Sequence, residues 1–149
     1  MILVSACLCG QRCRYDGQTK KKLALIRHLG SQNILPVCPE QLGGLSTPRP
    51  ACRLVGGDGA DVLAGRARVV DQFGSDRTGA FIRGARLTLE AALSYRVDRC
   101  YLKAKSPSCG SGHLLQAKKN DSLPNGYRAV LGVAAALLLA EGFHIEEIA

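Results

Sequence analysis

A chain of 149 residues, 46% apolar and 21% charged, is sized for one globular domain with its own core, which excludes disordered and fibrous classes. Its formal charge of +8 admits an anionic substrate or an RNA partner, but with no Trp and few Phe or Tyr the chain lacks a stacking platform for single-stranded RNA. No basic leader precedes the first apolar run, and the longest apolar stretch, 130–140, contains Gly132 and is too short to cross a bilayer, so the expectation is a cytoplasmic protein without a membrane partner.

In chain order, residues 2–5 read as a buried first strand, followed by a polar, glycine-bearing segment, 6–17, that carries Cys7, Cys9 and Cys13. Residues 23–29 form a helix closed by Gly30. A second strand over 33–38 ends at Pro39, and Gly43, Gly44, Pro48 and Pro50 punctuate a loop. Residues 51–55 and 67–71 read as short strands, the first followed by a turn at 56–59, and the two are expected to pair as a hairpin beside the main sheet.

A long helix starts at Asp76 or Thr78 and runs to about Tyr95, with Phe81, Ile82, Ala85, Leu89, Ala92 and Leu93 at helical spacing. Residues 99–103 are the next strand, and Lys105 to Gly112 a loop in which Pro107 and Gly110 forbid regular structure. Residues 112–126 are polar and irregular, 127–141 a last helix stopped by Gly142, and 143–145 a final strand. Strands alternating with helices predict an α/β fold, a parallel sheet with helices on its faces.

Seven cysteines in a reducing compartment point to metal or catalysis before disulfides. Cys7 follows the first strand, Cys38 closes the second, and Cys109 follows the strand at 99–103. In a parallel sheet those strand ends share one edge, so three thiols from distant loops can converge on an iron–sulfur group. The spacing matches neither a ferredoxin run nor paired zinc knuckles.

Val4-Ser5-Ala6-Cys7-Leu8, Cys13-Arg14-Tyr15-Asp16-Gly17, Pro36-Val37-Cys38-Pro39-Glu40, Thr47-Pro48-Arg49-Pro50, Gly56-Gly57-Asp58-Gly59 and Lys103-Ala104-Lys105-Ser106-Pro107-Ser108-Cys109-Gly110 together resemble the thiouracil desulfidase family. The resemblance covers nearly the whole chain. It implies a Rossmann-like fold in a single domain, 1–149, carrying a 4Fe–4S cluster with one open iron. The implied activity removes sulfur from a thiolated uracil base, nucleoside or nucleotide; longer members act on tRNA, which makes tRNA a further candidate partner.

By the same resemblance, Cys7, Cys38 and Cys109 are the cluster ligands, with Cys13 as a rival ligand, and Glu40 and Ser106 are catalytic. A carboxylate two residues after a ligand suits a general base. Arg14, Asp16, Arg49, Lys103, Lys105, Ser108 and Gly110 are candidates for binding substrate, with the backbone N–H groups of 110–112 open to a phosphate.

Bland readings stand beside these. Cys9, Cys52 and Cys100 are expected as packed small hydrophobes, although Cys9, beside Cys7, leaves a ligand exchange open. Arg14 and Asp16 form a structural ion pair or line the pocket. His28, His113 and His144 are scattered, and the 56–59 glycines read as a plain turn without the strand–turn–helix context of a dinucleotide site. The family's usual glycine-rich entry into the last helix is replaced here by Pro124-Asn125-Gly126-Tyr127, which puts substrate identity in question. The rival function is a non-catalytic metal- or cluster-binding module that recognises thiolated tRNA; a weaker third is a metal-free thiol redox enzyme. Nothing in the residues sets an oligomeric state.

Overall fold

The computed structural model describes residues 1–111 and 130–149. The expectations at Gly112, His113, the turn at 124–127 and the start of the last helix lie outside the described residues.

Strands β1 (Ile2–Ser5), β2 (Ile34–Val37), β5 (Arg99–Lys103) and β6 (His144–Ile148) form a parallel sheet in the order β2-β1-β5-β6. β1 is central and buried throughout, and its side chains alternate between two cores. Ile2 and Val4 pack with Tyr101 and with Leu25 and Leu29 of helix α1 (Leu23–Leu29). Leu3 packs on the other face with Cys100 and Leu102, with Ala92 of helix α4 (Thr78–Ser94), and with Ala135 and Leu138 of helix α5 (Val133–Ala140). Helices therefore cover both faces of the sheet, as expected. β2 is an edge strand, which is why it tolerates Pro36.

α4 buries Phe81, Gly84, Ala85, Thr88 and Ala92 along one stripe, whereas Leu93, expected on that face, is exposed. Gly84 is required by close approach: a Cβ there would run into the carbonyl oxygen of Pro39, and one at Gly43 into that of Ala80. The two glycines let α4 press against the short helix α2 (Pro39–Leu42), a turn the sequence reading missed, and so seat Glu40. α5 is apolar on all sides because it lies between α4, helix α3 (Gly59–Leu63) and the sheet.

β3 (Cys52–Val55) and β4 (Arg68–Asp71) pair antiparallel as a separate hairpin, Cys52 opposite Asp71. Between them the 56–59 segment is not a plain turn. It leads from β3 into α3, so the strand–turn–helix context is present after all. The N-terminus of α3 is already filled: Asp58 and Asp61 cap each other's backbone N–H groups at 3.2 and 3.0 Å, and Gly59 N–H donates to Leu131 O. No phosphate role follows from it.

Asp71 shapes the turn after β4. It is buried, and its Oδ1 accepts the N–H groups of Phe73 and Ser75, both at 2.9 Å, while Arg77 Nε donates to Oδ2 at 3.3 Å. Burial alone would raise its pKa, but the two N–H donors and Arg77 outweigh it and hold the carboxyl below its ordinary value. A depressed folded pKa gives stability that is complete above the unfolded value of about 3.9 and is lost as pH falls through the folded value. Melting curves at pH 6 and pH 3 should therefore show a smaller acid-induced drop for Asp71→Asn than for the wild type. Equal drops in both proteins would remove Asp71 from the acid response.

β1 and β5 are neighbours whose onward connections diverge, one to β2 and the other to β6. Such a switch point opens a crevice at the carboxyl ends of the strands.

Candidate functional site

That crevice holds a cavity of about 350 Å³. Cys7, Cys13, Cys38 and Cys109 line it together with Glu40, Arg49, Ser106, Ser108, Arg14, Lys103 and Lys105. Cys52, expected only as a packing residue, also lines it. Cys100 is buried in the core between the sheet and the helices, and Cys9 packs beside Cys7 without lining the cavity.

Three of the thiols, Cys7, Cys38 and Cys109, are carried past the ends of β1, β2 and β5. After β1 the chain tightens into a 3-10 helix, Ala6–Cys9, ended by Gly10 at φ 100°, a left-handed conformation suited to glycine. Cys7 O accepts Thr19 Oγ1 at 2.8 Å and Lys20 N–H at 3.0 Å, so the segment after Gly17 folds back over the thiol loop. Cys38 follows β2 and is the N-cap of α2. Cys109 ends a turn in which Ser106 Oγ accepts the N–H groups of Ser108 at 3.2 Å and Cys109 at 3.1 Å. Gly132 backs this turn: a Cβ there would meet the backbone of Ser108 and Cys109, so only glycine fits.

The thiols affect one another. Cys13 hydrogen-bonds Cys7, which lowers the Cys7 pKa against the opposing effects of burial and of Cys109 and Cys38. At Cys13 the bond to Cys38 pulls down, but the bond to Cys7 and burial push its thiol up to about 11. The Cys13 thiol and burial both raise Cys38. Burial pushes Cys109 up to about 11. Among the described residues no three His, Cys, Asp or Glu side chains are close enough to hold a single metal ion. A multi-iron cluster makes a different demand, because each thiolate holds a different iron and the ligands stand farther apart. Five thiols on the wall of a cavity of this size supply the soft donor chemistry that iron–sulfur groups take. Cys7, Cys38 and Cys109 come from three strand ends and could hold such a group, with Cys13 between Cys7 and Cys38.

Glu40 is fixed from both sides. Arg49 Nε donates to Oε1 at 3.0 Å and Ser108 Oγ donates to Oε2 at 3.0 Å. Ser106 Oγ lies 3.1 Å from Ser108 Oγ. Proton arithmetic orients this chain. Ser108 has one hydroxyl proton; given to Glu40, it leaves Ser108 to accept from Ser106. Ser106 already accepts two N–H groups, so donation to Ser108 completes its capacity. The wire runs Ser106 to Ser108 to Glu40. Ser108, expected as a substrate contact, is thus the direct partner of the carboxylate, and Ser106 stands one step behind it.

Three expected substrate contacts are otherwise engaged. Arg49 is buried, and its guanidinium also donates to Ser46 O at 3.2 Å, Thr47 Oγ1 at 3.0 Å and Cys13 O at 2.9 Å. It ties the Cys13 loop to Glu40 rather than waiting for a substrate anion. Asp16 does not line the cavity; it pairs with Arg14 at 3.7 Å and accepts Gln18 N–H at 3.0 Å, while Arg14 both makes that pair and lines the cavity. The N–H of Gly110 is taken by Ser106 O at 2.9 Å. Lys103 and Lys105 do reach the cavity, Lys105 from a left-handed backbone at φ 61°. Burial lowers the Lys103 pKa, Cys7 opposes this, and the nearby charges of Arg14, Lys22 and Lys20 lower it further. Lys20 and Lys22 thus lie near enough to act on Lys103, although neither lines the cavity. His28 and His144 do not line the cavity.

Known proteins resemble this chain over nearly its whole length. Residues 2–147 match the family described as 2-thiouracil desulfurase. YbbK of Bacillus subtilis (strain 168), an uncharacterized protein, is 39% identical over 145 residues, covering 97% of this chain and 93% of its own. A solved structure of the [4Fe-4S]-dependent thiouracil desulfidase TudS superposes with a TM-score of 0.77 at 38% identity, over 98% of this chain and 89% of that one. With the family matched over nearly its whole length, the chain belongs to the 2-thiouracil desulfurase family.

Proposed function

We propose that this protein is an iron–sulfur-dependent desulfidase that converts the thiocarbonyl of a thiolated uracil to a carbonyl and releases sulfide. Cys7, Cys38 and Cys109 hold a 4Fe–4S cluster, and residues 1–149 act as one domain. Bound there, the cluster supplies an iron with an open position, a soft Lewis acid suited to a thiocarbonyl sulfur. The overall reaction is hydrolytic: water provides the carbonyl oxygen and both protons of the hydrogen sulfide, with no net oxidation or reduction.

The chain's own residues then act as follows. Glu40 Oε2 takes a proton from the attacking water as general base. Arg49 holds the carboxylate in place and pairs with its charge before the proton is taken. Ser108 and Ser106 carry a proton between Glu40 and the cavity through hydroxyls already in contact. Arg14, Lys103 and Lys105 on the cavity wall, with Lys20 and Lys22 near Lys103, support a substrate that carries a phosphate, namely a thiouridine nucleotide. Seven free cysteines support a reducing cytoplasm.

The observation that carries the reading is the Glu40 carboxylate held between Arg49 and Ser108 on the wall of the thiol-lined cavity. The test is anaerobic reconstitution with iron and sulfide, then sulfide release from 2-thiouracil and 4-thiouridine monophosphate. Iron loading with turnover of at least one substrate is expected. A loaded protein that turns over neither, yet binds thiolated tRNA in a salt-sensitive way, would favour the non-catalytic module instead. For the phosphate, Lys103→Met should raise KM for the nucleotide several-fold and leave KM for the free base unchanged. A parallel rise for both would take Lys103 out of phosphate binding.

A further inference from the structure

Among the described residues, Tyr15 is the one aromatic side chain on the wall of the cavity. The proposed chemistry leaves it unused. The ring is not core material: Tyr15 is 42% exposed and joins the hydrophobic cluster on neither face of the sheet. An aromatic ring at a cavity wall, with much of its surface open, offers a flat apolar face to a flat ligand. Its backbone is nevertheless fixed. Gly17, at φ 75°, donates its N–H to Arg14 O at 2.9 Å and closes a turn around the ring's residue. Arg49 N–H donates to Tyr15 O at 2.8 Å, while the Arg49 guanidinium grips Glu40 and Cys13 O. One residue therefore sets the ring, the general base and the Cys13 loop relative to one another. The Arg14 guanidinium carbon lies 5.6 Å from the Tyr15 ring centroid, within cation–π reach, and pairs with Asp16 at 3.7 Å.

We infer that Tyr15 is a specificity-determining residue whose ring stacks on the pyrimidine ring of the substrate, so that the site accepts flat, unsaturated thiocarbonyl heterocycles and disfavours saturated or open-chain thioamides. The inference deepens the desulfidase reading above and rests on it. Stacking is indifferent to which carbon carries the sulfur and needs no phosphate; it selects for a π face. That separates the ring from the cations. Lys103 acts on the nucleotide alone, whereas a stacking ring acts on base and nucleotide alike. One ring stacks one base, which suits a free base or a mononucleotide rather than a run of nucleotides.

Calorimetric binding of uridine monophosphate and 5,6-dihydrouridine monophosphate to the reconstituted protein tests this. Neither probe carries sulfur for an open iron. They differ only in one ring double bond, whose saturation puckers the ring and removes its π face. The wild type and Tyr15→Phe should bind the flat nucleotide roughly tenfold more tightly than the saturated one, and Tyr15→Leu should bind the two alike. In turnover, Tyr15→Leu should raise KM for 2-thiouracil and for 4-thiouridine monophosphate by about tenfold with kcat near the wild type, the mark of binding lost equally from ground and transition states. The side chain is exposed and its backbone bond to Arg49 survives each change, so the variants keep the fold. A wild type that binds the two probes equally, or a Tyr15→Leu variant that keeps the wild-type preference, overturns the proposal. So does a loss in Tyr15→Phe as large as that in Tyr15→Leu, which would make the hydroxyl the contact instead of the ring. A loaded protein that shows the ring-dependent preference yet releases no sulfide from either thiolated compound would count against the desulfidase reading and leave the stacking standing, which keeps the two failures apart.

Discussion

Glu40→Gln should reduce kcat for sulfide release by about 10²–10⁴-fold at matched iron content, the range for losing a positioned general base. Glutamine preserves the shape and the acceptor for Ser108 but cannot take the proton from water. The cluster absorbance should be retained, because Glu40 lies beside the thiol set without belonging to it. Measuring iron per chain and sulfide release on the same sample separates the two. Ser108→Ala should fall between Glu40→Gln and the wild type, since it removes a donor to the carboxylate and leaves the carboxylate in place. A wild-type kcat in Glu40→Gln would sink the assignment of the base.

Arg49→Met should destabilise the folded protein by about 3 kcal/mol, the lower end of the range for removing one partner of a buried ion pair. Arg49 is 4% exposed at its side chain and Glu40 13%, so the carboxylate left behind is mostly shielded from water. The same change strips donors from Ser46 O and Cys13 O, of which Cys13 O keeps the Cys38 thiol. For a domain of this size that loss corresponds to a fall of about 10 °C in Tm. Arg49→Lys should recover only part of it, because an ammonium supplies charge without the planar fork that reaches Glu40, Thr47 and Cys13 together. Thermal melts of the iron-free proteins are the direct measurement. A loss below about 1 kcal/mol would place the pair among weak surface contacts.

These two side chains show where sequence reasoning stopped. Glu40 was legible because it follows Cys38 and Pro39 in a recognisable motif. The role of Arg49 was not: its sequence neighbours are prolines, and the acceptors it joins lie 9 and 36 residues away. Ser106 and Ser108 sit in one tripeptide, so spacing alone could not say which hydroxyl reaches the carboxylate. The turn geometry decides, by turning Ser106 Oγ onto the Ser108 and Cys109 amides and leaving Ser108 to face Glu40. The fold-back onto Cys7 and Leu8, which no local pattern signals, brings Lys20 and Lys22 near Lys103.

What the residues determined by themselves is local or periodic. The buried strands, the helix at 23–29 with its Gly30 cap and the stripe of α4 follow from side-chain period and capping chemistry, which need no distant partner. The short helices α2 and α3 were missed because four or five residues carry too little period to read. The tertiary structure decided that five thiols share one cavity: the parallel order β2-β1-β5-β6 brings the strand ends before Cys7, Cys38 and Cys109 to one edge, and Cys13 and Cys52 join them from segments no local pattern places there. It also decided which polar groups are already engaged. Hydrogen-bond capacity is finite, and Arg49, Asp16 and the Gly110 amide find their partners only once the chain has folded.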